Sequence, residues 1–201
     1  MKKNKKCYND YGDNMKNIEI EYKVMVDKQS FTKLESYLDN HYLNKKYIQT
    51  NYYYDTRDNK IKNKGLSLRI RHIENENIYI STLKEKQNEA RIEYEDVIKC
   101  NDIYLINNEA KSILEKNNIN INQIKQVAYL KTIRKEYMYH DCLLCLDYNL
   151  YYNKEDYEIE CEAESMEKAK ELVLQLLNKF NVSYQESKDS KVARALKNRI
   201  N

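Results

Sequence analysis

The sequence predicts an α+β protein built on an antiparallel sheet. Apolar and polar residues alternate in eight separate stretches, which is the side-chain period of a strand. Helical spacing appears between and after these stretches, and no repeat or linker interrupts the series. We therefore expect one domain over residues 17–201, preceded by a polar, flexible leader over residues 1–16. The expected strands are residues 18–26, 46–55, 66–73, 77–84, 90–99, 127–139, 142–150 and 156–163.

Helices are expected where apolar residues recur at spacings of three and four. Phe31, Leu34 and Leu38 form the first such group, and a second lies around residues 110–114. The clearest stripe comprises Met166, Ala169, Val173, Leu176, Leu177 and Phe180. A short C-terminal helix is expected within residues 187–200.

The composition excludes several broad classes of protein. The 201 residues include 35 basic and 32 acidic side chains, for a formal net charge of only +3. Bulk attraction to nucleic acid or to a membrane surface is therefore not expected. No apolar run has the length of a transmembrane helix, so we expect a cytoplasmic protein whose five cysteines are free thiols.

The most informative stretch carries Glu19, Glu21 and Lys23 at alternate positions. A strand of this sequence places the two carboxylates and the ammonium on one face and apolar side chains on the other. One interpretation is an exposed strand with a surface ion pair, which would contribute little. The other is a sheet that closes on itself, with a charged lumen and an apolar outside covered by helices.

The same alternation recurs in the other strands, and it brings together two kinds of charge. Arginine and lysine suit phosphoryl oxygens, whereas clustered carboxylates suit a hard divalent cation such as Mg²⁺ or Mn²⁺. Because unpaired charges are costly to remove from water, a lumen of both signs favours a polyanion bound with a metal. The residues in question are Arg69 and Arg71, Lys84, Arg91 and Glu93, Asp147, and Glu158 and Glu160.

An ordered series of motifs resembles the CYTH domain of the triphosphate tunnel metalloenzymes. The resemblance runs from about residue 18 to residue 196. Its parts are Glu19-x-Glu21-x-Lys23, Asn51 to Thr56, Leu68-Arg69-Ile-Arg71, Thr82-Leu-Lys84, Arg91-x-Glu93-x-Glu95, Arg134, Leu146-Asp147, Asp156-Tyr-Glu158-x-Glu160 and Ser190-Lys191-x-x-Arg194-Ala195.

The resemblance implies an eight-stranded, closed antiparallel β-barrel, the triphosphate tunnel, with helices packed outside. It implies that Mg²⁺ or Mn²⁺ is bound by Glu19, Glu21, Glu158, Glu160 and Asp147. It implies substrate binding by Lys23, Arg69, Arg71, Lys84, Arg134, Lys191 and Arg194, and catalysis by Lys23, Glu158 and Glu160. Glu93 and Arg91 are expected in supporting positions, and Asp147 or Glu93 could instead orient an arginine.

The activity implied is metal-dependent hydrolysis of a small-molecule triphosphate, and we favour inorganic tripolyphosphate cleaved to pyrophosphate and phosphate. The alternatives are a class IV type adenylyl cyclase, a thiamine triphosphatase and a non-catalytic polyphosphate-binding module. The protein would be a monomer or a homodimer. Two assignments stay open in the sequence, namely which ring of Tyr52, Tyr53 and Tyr54 faces inward and whether Lys131 belongs to the tunnel.

Overall fold

The computed structural model describes residues 15–87 and 90–199. Ten antiparallel strands form one sheet: β1 (Met15–Glu19), β2 (Glu21–Val26), β3 (Asn44–Thr56), β4 (Leu66–Ile73), β5 (Ile78–Gln87), β6 (Ala90–Ile98), β7 (Ile124–Tyr139), β8 (Cys142–Tyr151), β9 (Lys154–Glu162) and β10 (Tyr184–Glu186). Five α-helices accompany them in the described residues: α1 (Lys28–His41), α2 (Lys60–Asn63), α3 (Asn108–Lys116), α4 (Met166–Lys179) and α5 (Lys191–Lys197).

The antiparallel sheet is confirmed, but the predicted count of eight strands and the closed ring are wrong. The order across the sheet is β1-β6-β5-β4-β3-β7-β8-β9-β2-β10. The predicted strand 18–26 is interrupted at Ile20 because its two halves pair with different neighbours, β1 with β6 and β2 with β9. β10 adds a short tenth strand beside β2. The two sides of the sheet are thus joined by the chain at Ile20, and not by a continuous ladder of hydrogen bonds.

Helices cover the outer face of the sheet in two places. In the first place, α1 and α4 pack on outward residues of β2, β7, β8 and β9 such as Leu144. The helices contribute Leu34 and Leu38 from α1 and Val173 and Leu176 from α4. A second cluster joins α2 and α3 to outward residues of β4, β5 and β6. These contacts explain the apolar stripes in the sequence, which need an apolar sheet face to cover.

Each long helix begins at a side-chain cap. The N–H of Ser30 donates to Asp27 at the start of α1, and the N–H of Lys168 donates to Ser165 at the start of α4. Ser190 accepts from the N–H of Ala193 and so begins α5. Residues 1–14 of the predicted leader lie outside the described residues, and Met15 and Lys16 belong to β1. In the described part of the chain, no helix has the length and apolar character needed to cross a membrane.

Asp55, part of the motif at residues 51–56, supports a turn of the backbone. Its Oδ1 accepts from the N–H of Thr56 at 2.7 Å and from that of Ile61 at 2.9 Å, and its Oδ2 accepts from the N–H of Lys62 at 3.2 Å. The carboxylate therefore caps α2, a short helix that the alternation and spacing of the sequence did not predict. It fixes the path between β3 and β4.

We predict that Asp55→Ala lowers the free energy of unfolding by about 2–3 kcal/mol, because three backbone donors lose their acceptor. Asp55→Asn keeps one oxygen and is expected to lose less. The matched control is Asp58→Ala, since the exposed Asp58 lies in the same turn and accepts from the Thr56 hydroxyl. Denaturant unfolding measures all three, and equal midpoints for Asp55→Ala and Asp58→Ala would contradict the assignment.

Candidate functional site

The inner face of the sheet encloses a charged cavity. The cavity offers about 80 Å³ of space to the centres of water-sized molecules and is partly open to solvent, and it is lined by strands β1 to β8, by Glu160 of β9 and by the first turn of α5. Seven cationic and four acidic side chains line it among the described residues. This arrangement agrees with the interpretation of a charged lumen and not with that of an exposed strand face.

Glu19, Glu21 and Lys23 all line this cavity, as their spacing predicted. The interruption at Ile20 leaves the two carboxylates on the same side. Lys84 Nζ donates to Glu19 Oε2 at 2.7 Å, and Lys23 Nζ lies 2.6 Å from Glu21 Oε1. Each carboxylate of the motif therefore has a lysine partner across or within the wall.

Three other carboxylates form the tightest acidic group. Asp147 of β8 and Glu158 of β9 are directly paired in the sheet, and Glu160 follows two residues later on the same face. One carboxylate oxygen from each lies within 4.8 Å of the others, and all three side chains are buried. Glu19 and Glu21 belong to no such group of three in the part of the chain that the structure describes.

Lys191 lies in the middle of this acidic triad. Its ammonium nitrogen is 2.9, 2.6 and 2.5 Å from carboxylate oxygens of Asp147, Glu158 and Glu160, respectively. Lys191 is the first residue of α5, so the Ser190 cap places it over the cavity. The ammonium thus compensates carboxylates that burial would otherwise destabilise.

Arg134 compensates the same triad from the neighbouring strand. Its Nε donates to Asp147 Oδ1 at 2.7 Å and its Nη2 to Asp147 Oδ2 at 2.6 Å, the paired geometry that a guanidinium makes with a carboxylate. Arg134 also bonds Glu160. Asp147 therefore orients an arginine, which is one of the two roles that its place in the sequence left open.

The surrounding charges move the pKa values of the cavity groups apart. Burial acts to raise the pKa of Glu160, but Lys191, Lys23 and Arg134 outweigh it and hold that pKa well below its usual range. Burial is likewise outweighed at Asp147, mainly by Arg134 and Lys191, so its pKa is also lowered. These two carboxylates stay ionised.

The lysines shift in the opposite direction. Burial acts to lower the pKa of Lys191, but Asp147, Glu158 and Glu160 together raise it well above the usual value. The pKa of Lys84 is raised in the same way, with Glu19 as its strongest partner. The cavity therefore holds opposed full charges and not neutral pairs.

Arg69 and Arg71 of β4 extend the cationic wall. Arg71 Nε donates to Asn51 Oδ1 at 3.2 Å, and Arg69 Nη2 donates to the Thr82 hydroxyl at 3.3 Å. Arg69 Nε is buried and has no hydrogen-bond partner in the described structure. Both arginines are thus held in place, and the Nε of Arg69 remains an unused donor.

Three predicted residues do not line this cavity, and a fourth, Arg91, does. Arg194 is bound to Asp156, at 2.9 Å from its Nε, and to Glu158, at 3.0 Å from its Nη2, and it does not line the cavity. Glu158 does not line this cavity. Glu93, which is paired with Lys84, lines a smaller neighbouring cavity together with Arg69 and Arg71. Arg91 lines the rim, 3.8 Å from Glu21.

The structure settles the two open assignments and adds a residue. Tyr53 lines the cavity, whereas the hydroxyl of Tyr54 donates to Asn101 outside it. Lys131 does not line the cavity and pairs with Glu74 at 2.8 Å. Gln49, which the sequence motifs did not include, also lines the cavity. The period of β3 could have found it, because it shares a face with Asn51 and Tyr53.

The triad has the chemistry of a site for a hard cation. Carboxylate oxygens are the preferred ligands of Mg²⁺ and Mn²⁺, and three of them converge here. The residues present therefore fit a divalent metal, provided that the Lys191 ammonium moves from the centre of the group.

Comparison with known proteins gives consistent matches. The family model of the CYTH domain matches residues 17–196. A Bacillus subtilis (strain 168) protein named "Putative triphosphatase YjbK" is 33% identical over 178 residues, which cover 86% of this chain and 91% of that protein.

Two solved structures share the fold over most of the chain. One is a Bacillus halodurans protein described as a "putative adenylate cyclase", with 32% identity, a TM-score of 0.77, and coverage of 89% of this chain and 97% of that one. The other is HpAC1 from Hippeastrum, described as a "putative adenylyl cyclase" with a dominant triphosphatase activity. It shows 20% identity, a TM-score of 0.75, and coverage of 92% and 97%.

The pKa shifts predict how stability varies with pH. Asp147 and Glu160 have lower pKa values in the folded protein than in the unfolded chain, so their ionised forms stabilise the fold. This contribution is complete at pH values above the unfolded pKa values near 4, and it is lost as the pH falls through the folded pKa values. Lys84 and Lys191 have higher pKa values in the folded protein than in the unfolded chain, so their protonated forms also stabilise the fold. This contribution is complete below about pH 10, and it is lost only as the pH rises through the still higher folded pKa values. The network's contribution should therefore be constant between about pH 5 and 9 and fall on either side.

Denaturant midpoints across the pH range test this expectation. Glu160→Gln removes one strongly shifted carboxylate and should lower the slope of stability against pH below about pH 5, by up to about 1.4 kcal/mol per pH unit. The control is Glu171→Gln on the exposed side of α4, which should leave the slope unchanged. An acid slope for Glu160→Gln equal to that of the wild type would contradict the assignment.

Proposed function

The chain belongs to the CYTH domain family, and on that premise we propose that it hydrolyses a short phosphate chain, inorganic tripolyphosphate, to pyrophosphate and phosphate with the help of a divalent metal. One observation carries the proposal: seven cationic side chains converge on a single cavity that adjoins a buried triad of carboxylates. The names of the relatives from Bacillus subtilis and Hippeastrum support a triphosphatase.

The lining of the cavity favours an inorganic chain over an organic triphosphate. Arginine forks and lysine ammonium groups bind phosphoryl oxygens directly. Among the described residues that line the cavity, Tyr53 is the sole aromatic side chain, so little surface is available to stack a purine or a thiamine ring. A ligand made only of phosphoryl groups would pair with the largest number of these cationic donors.

Asp147, Glu158 and Glu160 would hold Mg²⁺ or Mn²⁺, with Glu19 and Glu21 as further ligands from the adjoining wall. When bound, the metal supplies charge neutralisation at the phosphoryl oxygens and a water of lowered pKa. Lys191 is bound to all three carboxylates of the triad. We propose that its side chain moves when a metal binds there, so that the ammonium group pairs with phosphoryl oxygens of the substrate instead.

The chain's own residues bind and orient the substrate. Six cationic side chains of the cavity wall would donate to phosphoryl oxygens and stabilise the charge that develops on the leaving pyrophosphate. They are Lys23, Arg69, Arg71, Lys84, Arg134 and Lys191. Glu158 or Glu160 would accept the proton of the attacking water. Lys23 lies 3.1 Å from Glu160 and would meet the substrate near the reacting end.

Three residues are proposed to position others. Arg194 holds Glu158 in place through two donors, so we assign it to orienting that carboxylate and not to contacting substrate. Glu93 holds Lys84, and Arg91 lies beside Glu21 at the rim. Each acts through a neighbouring charged group.

We expect tripolyphosphate to have the highest kcat/KM in a panel that also contains ATP, GTP and thiamine triphosphate, each with Mg²⁺ or Mn²⁺. Arg71→Ala should raise KM by about tenfold to a hundredfold, because a charge-assisted hydrogen bond contributes about 1.5–3 kcal/mol. The matched control is Lys131→Ala, since this lysine lies outside the cavity and should not affect KM. Phosphate, pyrophosphate and cyclic nucleotide are measured as products.

Other results of this panel would overturn the proposal. Cyclic AMP as the main product would show an adenylyl cyclase, and a clear preference for thiamine triphosphate would show a thiamine triphosphatase. Tight binding of tripolyphosphate without turnover under either metal would show a binding module.

The position of Lys191 predicts a competition with metal. We expect Lys191→Met to increase the affinity for Mn²⁺ in the absence of substrate by about tenfold, because the bound ammonium no longer has to be displaced. Asp147→Asn should decrease it. The control is Lys197→Met, on the same helix, whose lysine pairs with Asp189 at 2.6 Å. Calorimetry or the electron paramagnetic resonance of free Mn²⁺ gives the dissociation constants, and equal affinities for wild type and Lys191→Met would place the metal elsewhere.

A further inference from the structure

Gln49 is a buried amide whose donor has no partner. It lies in β3, is 1% exposed and lines the cavity. Its Nε2 forms no hydrogen bond in the described structure. Buried polar groups in folded proteins are almost always hydrogen-bonded, so an unpartnered amide at this depth needs an explanation.

Packing does not explain this glutamine. Its neighbours in the sheet are Thr132 on one side and Ile73 on the other. The Thr132 hydroxyl donates to Asn149 at 2.8 Å, so it is already part of another pair. An apolar side chain of similar length would fill the same volume without burying an unused donor. The amide is therefore costly to the ligand-free fold.

A ligand in the cavity would supply the missing partner. An N–H₂ group needs an acceptor, and the second buried donor without a partner, Arg69 Nε, lines the same cavity. Two unused donors facing one cavity indicate a ligand rich in acceptor oxygens. Phosphoryl oxygens are acceptors of this kind, and the cationic wall already selects for them.

We propose that the Gln49 carboxamide donates a hydrogen bond to a phosphoryl oxygen of the bound triphosphate and so is a substrate-binding residue. The inference rests on the proposed function and adds a neutral donor to the charged ones. It makes Gln49 part of a neutral stretch of the cavity wall that includes Asn51 and Thr132.

The test compares binding with stability, because the two should respond differently. Gln49→Met keeps the length of the side chain and removes the donor, and Gln49→Leu is a second variant in case the first does not fold. The control is Gln175→Met, the same change on the exposed face of α4. The probe is diimidotriphosphate, a triphosphate analogue that is not hydrolysed. It is titrated into each protein in a calorimeter, with Mg²⁺ present at a constant concentration. Urea unfolding without ligand gives the stability of each protein.

We expect Gln49→Met to weaken binding of the analogue by about tenfold, while its urea midpoint equals or exceeds that of the wild type. The control should change neither quantity. Binding within twofold of wild type would overturn the inference alone, and so would a large fall in the urea midpoint, because the amide would then have a partner within the fold. A wild-type protein that does not bind the analogue would overturn the proposed function and this contact with it.

Discussion

The architecture of the cavity depends on the pairing of buried carboxylates with buried cations. Three carboxylates within 4.8 Å of one another would repel strongly in a low-dielectric interior, and one of them would normally take up a proton. Here Lys191 and Arg134 lie between them, and the lowered pKa values of Asp147 and Glu160 record the result. The site holds carboxylates and cations that are all charged, so removing any one of them would change the pKa values of its neighbours.

This constraint explains why the supporting elements have their observed positions. The register of β8 on β9 places Asp147 beside Glu158, and the period of β9 adds Glu160 on the same face. The cap at Ser190 fixes where α5 begins and therefore where the Lys191 ammonium reaches the triad. Arg194, one turn further along α5, holds Glu158 from behind. The helix that supplies the cation also orients the carboxylate that it neutralises.

Much of the fold and of the site could be predicted from the period of the side chains. Alternation identifies which residues share a face, so the charged residues of β1, β2, β4 and β8 can be assigned to the cavity from the sequence alone. The interruption at Ile20 could not be found in this way, because the side chains continue to alternate while the hydrogen-bond partners change. The lack of a partner for Gln49, and the position of Arg194 outside the cavity, depend on contacts between distant strands and helices. No local pattern encodes such contacts.

The junction at Ile20 also limits how much sheet edge the described residues expose. An open sheet ends in two strands whose free backbone groups can pair with another chain. Here one end, β1, continues after a single residue into β2 near the opposite end, so a second molecule would have to enter between two segments of one continuous chain. The other end is β10, which offers only three residues as a template. The same chain path that encloses the charged cavity therefore leaves little free sheet edge among the described residues.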